Sequence, residues 1–221
     1  MLWFHFENDE IFHSNQSKMD ISKSECSSVA IRSVLRHNTS TQSIKNLMSE
    51  RNIKLDEKTL EFAVRYCSYE VVKILLDYDV PSDRDTLRWA AARGDVQIVK
   101  LLLDRKIHKN RNSIVDAAGN GYYEVVEILL TEKLQLTNLS IEYAAKGGYI
   151  EIIKLLRRRK APFCKQALIQ AVKNNHLNIV KYLLNELGST DPEIIIECTG
   201  IAALKGHMNI VAFFRNYIKQ T

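Results

Sequence analysis

Six apolar runs recur through the last three-quarters of the chain. They are YEVVKILL ending at Leu76, VQIVKLLL at Leu103, YEVVEILL at Leu130, IEIIKLL at Leu156, LNIVKYLL at Leu184 and MNIVAFF at Phe214. Within a run the apolar residues fall at i, i+3 and i+4, as in Ile98, Val99, Leu101 and Leu102. That is the pattern of a helix with one buried stripe. Aligned on one β-branched residue (Val72, Val99, Val126, Ile153, Val180, Val211), the runs are spaced by 27, 27, 27, 27 and 31 residues. Nine residues before each stands an alanine: Ala63, Ala90, Ala117, Ala144, Ala171 and Ala202. Five residues before stands Cys67, Gly94, Gly121, Gly148, Asn175 or Gly206. Alanine favours helix and lets neighbouring backbones approach, while Gly or Asn tolerates the left-handed residue that ends a helix. Cys67 departs from this rule and is expected to strain its unit mildly. One such helix pair cannot bury its apolar face alone, so the units must stack in series. The fold predicted is all-α, a solenoid of about six helix–turn–helix repeats.

The segments AARGDVQIVKLLLD, AAKGGYIEIIKLL and AALKGHMNIVAFF resemble the helix–turn–helix core of the ankyrin repeat family, including the Gly206–His207 pair. The resemblance covers residues 54–221. The family period is 33, so these units are six residues shorter, with the loss between Leu103 and Ala117 and at the equivalent places. Short or absent β-hairpin fingers follow. The family's Thr-Pro-Leu-His opening is nearest at Asp85-Thr86-Leu87-Arg88; other units keep the apolar third position, as in Ile114 and Ile141. Shortened arrays of this kind resemble those of giant DNA viruses and intracellular bacteria.

The resemblance implies a non-enzymatic scaffold that binds a protein through a concave face lined by the first helices. It also implies that the two residues after each small pair face that groove: Arg65-Tyr66, Ala92-Arg93, Gly119-Asn120, Lys146-Gly147, Lys173-Asn174 and Leu204-Lys205. Five of the six units carry Lys or Arg there, a basic column broken at Gly119-Asn120. The candidate partner-binding residues are therefore Arg65, Tyr66, Arg93, Asn120, Lys146, Lys173, Asn174 and Lys205. His176 and His207 share one repeat position, where the family commonly holds a histidine that hydrogen-bonds locally.

Composition adjusts this picture only slightly. The 221 residues carry 31 Lys plus Arg against 26 Asp plus Glu, a net charge of +5. A partner with an acidic segment suits the basic column; the second reading is nucleic acid, for which +5 is modest. A third is a host-directed adaptor with a recruiting motif at one end. The bland alternative is a solvated face, since such surfaces need charge for solubility. Further cations (Arg105, Lys106, Lys109, Arg111 and Arg157 to Lys160) fall in equivalent loops, which project from one side of a solenoid. No apolar run approaches the ~20 residues of a membrane span, and MLWFHFENDE lacks the build of a secretory leader. Cys26, Cys67, Cys164 and Cys198 form no CxxC pair. They read as free thiols of an intracellular, cytoplasmic protein.

Candidate chemistry is sparse, and no catalytic, cofactor or metal site is predicted. Gly119-Asn120-Gly121 and Gly147-Gly148 recur with the repeat and so end helices instead of cradling phosphate. Asp77, Asp79, Asp83 and Asp85 crowd one loop but lack the spacing of a calcium site; Asp85 is expected to cap the next helix. Residues 1–25, with Trp3, Phe4, Phe6 and Phe12, read as a tail, and 26–53 as a degenerate capping unit before the array at 54–221. The spacing of 31 places a hinge near Gly188 to Pro192. Arg215, Asn216, Lys219 and Gln220 suggest a polar cap on the last unit, and with it a single-chain, monomeric array.

Overall fold

The computed structural model describes Arg32, Leu35 and residues 41–49, 55–187 and 191–218. The expected tail at 1–25 and the centre of the expected hinge, Gly188 to Thr190, lie outside these residues. Thirteen helices and no strand occur among the described residues. A leading helix, α1 (Thr41–Ser49), precedes six pairs. The first helices are α2 (Glu57–Tyr66), α4 (Thr86–Arg93), α6 (Asn112–Asn120), α8 (Asn138–Gly147), α10 (Lys165–Lys173) and α12 (Pro192–Leu204). Their partners are α3 (Tyr69–Asp77), α5 (Val96–Asp104), α7 (Tyr123–Thr131), α9 (Ile150–Arg158), α11 (Leu177–Leu187) and α13 (Met208–Ile218).

First helices stack on first helices from α2 to α12, and second helices form a parallel rank. All six aligned alanines are fully buried, as are five of the six aligned β-branched residues. The alanines hold the first rank in closer contact than the second. A two-rank stack drawn tighter on one side is concave there, which makes the first-helix side the inner one. Ahead of the first pair, α1 packs against α3 and buries Ile44.

Gly94, Gly121, Gly148, Asn175 and Gly206 all take the left-handed conformation, with φ from 62° to 87°. A second ladder of left-handed residues, unmarked by glycine, ends the second helices: Asp79, Lys106, Lys133 and Lys160, 27 residues apart, with φ from 53° to 59°. The ends at Asp79, Lys106 and Lys160 are closed by crossed backbone bonds. At α5 the Ile107 N–H donates to Leu102 O at 3.0 Å and the Lys106 N–H to Leu103 O at 2.9 Å. An apolar residue then turns inward, as Val80 and the fully buried Ala161 do. This compact turn stands where a finger would project.

Two expectations need correction. Cys67 sits at φ −101°, ψ 175°, an extended conformation open to any residue, so it carries no left-handed strain. Asp85 does not cap α4 through its side chain. Asp83 serves instead, accepting from the Asp85 N–H at 2.9 Å and the Thr86 hydroxyl at 2.7 Å. Of the expected polar cap, Arg215 and Asn216 are exposed, while Lys219 and Gln220 lie outside the described residues; Ile196, Ala203, Leu204 and Met208 are exposed beside them.

Candidate functional site

The candidate residues all lie at the C-terminal ends of the first helices or in the turn that follows, on the inner rank. Their surroundings divide them. In the first three units the polar groups are engaged within the protein. Arg65 bonds Glu61 at 3.0 Å and lies over the Trp89 ring, 4.3 Å from its centroid. Arg93 reaches back into the preceding unit and donates to Val64 O at 3.1 Å and Cys67 O at 2.6 Å. It thereby satisfies carbonyls left open at the end of α2. Asn120 does the same for the next turn, donating to Ala92 O at 3.1 Å. Tyr66 remains 60% exposed, its ring centroid 5.0 Å from that of Phe62.

The last three units differ. Lys146, Lys173 and Lys205 are exposed, and no ion-pair partner is found for them among the described residues. Lys146 stands 5.9 Å from the centroid of the exposed Tyr143 ring. Asn174 bonds Gln170 O of its own helix at 2.8 Å. Lys146 and Lys173 occupy the same repeat position, two residues after the alanine; Lys205 is one residue later, ~100° around its helix. The inner face thus presents two lysines in register beside an aromatic ring, then the isolated Lys205.

A family model described as Ankyrin repeats (3 copies) matches residues 60–138, 114–196 and 141–220. The chain belongs to the ankyrin repeat family. No curated protein matches it. Ankyrin repeats are in general protein-interaction modules, and among the described residues no helix is long and apolar enough to cross a membrane.

Contacts between these ankyrin repeats account for groups that single-unit reasoning misplaces. His176 Nε2 lies 3.2 Å from Lys146 O, and His207 Nε2 3.2 Å from Lys173 O. Both histidines therefore donate to the preceding repeat instead of bonding within their own. At the equivalent position earlier in the array stand Tyr122 and Tyr149, whose rings lie against Gly94 and Gly121; a side chain at either glycine would collide with them. The 27-residue recurrence of a ring after the turn glycine was the available signal for this column.

The loop cations are likewise partly engaged. Arg105 donates to Leu76 O at 2.9 Å and pairs with Asp77, Lys109 pairs with Glu132, and Arg157 meets Glu186 at 3.1 Å. Within the crowded acidic loop Asp77 thus meets Arg105, Asp83 bonds the Thr86 hydroxyl, and Asp85 accepts from the Asn110 side chain at 2.7 Å. Cys67 and Cys198 are buried. Burial raises both thiols, with Arg93 opposing it at Cys67 and Glu197 adding to it at Cys198, which is pushed up to about 12. Neither thiol is prepared as a nucleophile.

Proposed function

We propose that this chain is a non-enzymatic, cytoplasmic interaction scaffold that binds an extended acidic segment of another protein on its inner face. The array at 54–221 does the binding, with 26–53 as its terminal unit and 1–25 as a tail. The observation that carries the reading is the in-register Lys146 and Lys173, unpaired among the described residues, with Lys146 beside exposed Tyr143. In the earlier units the cations are engaged within the protein, Arg65 with Glu61 and Arg93 with carbonyls of the preceding repeat.

The spacing suggests the form of the partner. Packed helices lie ~8–10 Å apart, and a polyproline II chain advances ~3.1 Å per residue with three residues per turn, so every third side chain points the same way. Carboxylates three residues apart therefore match lysines one repeat apart. Each exposed lysine–carboxylate contact contributes only ~0.2–1 kcal/mol, so the aromatic groups at Tyr143 and Tyr66 and the peptide backbone must supply most of the affinity.

The test is affinity capture from nuclease-treated lysate of cells that produce the protein. Wild type is compared with a Lys146→Glu, Lys173→Glu double variant and a charge-matched Lys73→Glu, Lys106→Glu control on the second-helix side. The reading predicts a protein captured by wild type and control and lost by the double variant. Equal capture by all three would refute the inner face as the site. Capture that depends on nucleic acid would move the reading to a nucleic-acid binder.

A further inference from the structure

The outer end of the last repeat is built like an interior surface. At the position one residue after the aligned alanine, Val64, Ala91, Ala118, Ala145 and Val172 are all fully buried beneath the next unit. Their counterpart Ala203 is exposed. Around it stand Leu204, 89% exposed, Ile196, 68%, and Met208, 70%. Here α12 is apolar on both sides: Ile195, Cys198 and Ala202 face the core, while Ile196, Gly200, Ala203 and Leu204 form a second stripe at i, i+4, i+7 and i+8. The exposed Glu193 and Glu197 border this second stripe, which leaves an apolar patch with charged edges on the outer side of α12.

Gly200 supplies an independent observation. It lies in the middle of α12 with ordinary helical backbone, where glycine is ~1 kcal/mol worse than alanine. The other glycines described either take positive φ or, as Gly119 and Gly147 do, make room for a tyrosine ring or a neighbouring repeat's backbone. At Gly200 a Cβ would meet nothing within 4 Å among the described residues. Nothing among the described residues requires a glycine there. A second backbone crossing closely over α12 would.

We infer that this face binds the same face of a second copy, α12 against α12, about a two-fold axis through Gly200. An isologous contact of this kind is self-complementary by construction. Antiparallel pairing about Gly200 sets Ile196 of one copy opposite Leu204 of the other and lets the glycines touch. It also brings the Glu193 carboxylate near the N-terminus of each helix to the end where the other copy carries Lys205, so the charges complement. The pair continues the first-helix rank from one molecule into the next. Lys146 and Lys173 stay outside the contact, so this dimer and the acidic-segment site stand or fall separately. The expectation of a monomer rested on a polar cap, and the exposed apolar stripe removes that premise.

Sedimentation velocity of the full chain over a wide concentration range tests the inference. Wild type is expected to move from the mass of one chain to that of two. Leu204→Glu should weaken association by about thirtyfold or more, as for a central hot spot. Gly200→Leu should abolish it while leaving the thermal midpoint unchanged or higher, because the added side chain meets open space within one copy. Gly200→Cys should give a reducible covalent dimer under mild oxidation, which wild type does not form. A single-chain mass at every concentration would overturn the inference and leave the face to a different occupant. A dimer that survives both Leu204→Glu and Gly200→Leu would overturn it too, by placing self-association elsewhere.

Discussion

One repeat position shows how far a buried hydroxyl depends on its neighbour. Thr59, Thr86, Ser113 and Ser140 are equivalent, and all are buried. The Thr59 and Thr86 hydroxyls donate to Asp56 and Asp83, each at 2.7 Å. In the next unit Asn110 is committed to the Asn112 N–H and to Asp85, and the Ser113 hydroxyl has no partner. Opposite signs follow for similar substitutions. Thr86→Val should lose about 1–2 kcal/mol, while Ser113→Ala should be neutral or gain up to about 1 kcal/mol, both read by denaturant unfolding. At Asp56 burial pushes the carboxyl up, but hydrogen bonds from Thr59 and the nearby Arg32 guanidinium outweigh it, and the net direction is downward. The stabilisation from Asp56 is therefore complete above the ordinary aspartate value of about 3.9. It is lost as pH falls through the lower folded value. Asp56→Asn should flatten the acid limb of stability in that window, measured by unfolding between about pH 5 and 2. An unchanged acid limb would mean that this carboxyl is not differentially held in the folded state.

Among the elements, the helix ends separate what the sequence makes legible from what it hides. The first ladder of left-handed residues is readable because Gly and Asn mark it, and only Cys67, in extended conformation, breaks the inference. The second ladder is invisible because Asp79, Lys106, Lys133 and Lys160 carry no turn signature. Asp79, Lys106 and Lys160 are held left-handed by the crossed backbone bonds and by the apolar residue that follows. Relief of that conformation should be measurable: Lys106→Gly is expected to stabilise the protein by about 1 kcal/mol in thermal unfolding. The glycine ladder should respond unequally. Gly206→Ala meets open space and should lose about 1–2 kcal/mol for its conformation alone. Gly121→Ala has the same conformational penalty and also drives a methyl into the Tyr149 ring, so its loss should be clearly larger. Equal losses at the two glycines would show that the ring column yields freely.

Across the whole molecule, the repeat pattern specified the rank of first helices, its small-residue seam and the side on which candidate residues cluster. It could not say which of those residues were already occupied. Arg93 and Asn120 bond to carbonyls of the preceding repeat, 26 to 29 residues away, and such contacts arise only once the units are stacked. A column that reads as five equivalent cations is, in the folded array, an engaged N-terminal half and an available C-terminal half. The outer side of α12 was equally hidden, because its second apolar stripe has no meaning until the first is seen facing inward. The most direct test of the account is calorimetric titration of the chain with two peptides of identical composition. One carries carboxylates three residues apart around an aromatic centre, and the other carries them on adjacent residues. The account predicts at least tenfold tighter binding of the spaced peptide, lost in the Lys146→Glu, Lys173→Glu variant. Equal affinity for the two peptides, or spaced-peptide binding that survives those substitutions, would contradict it.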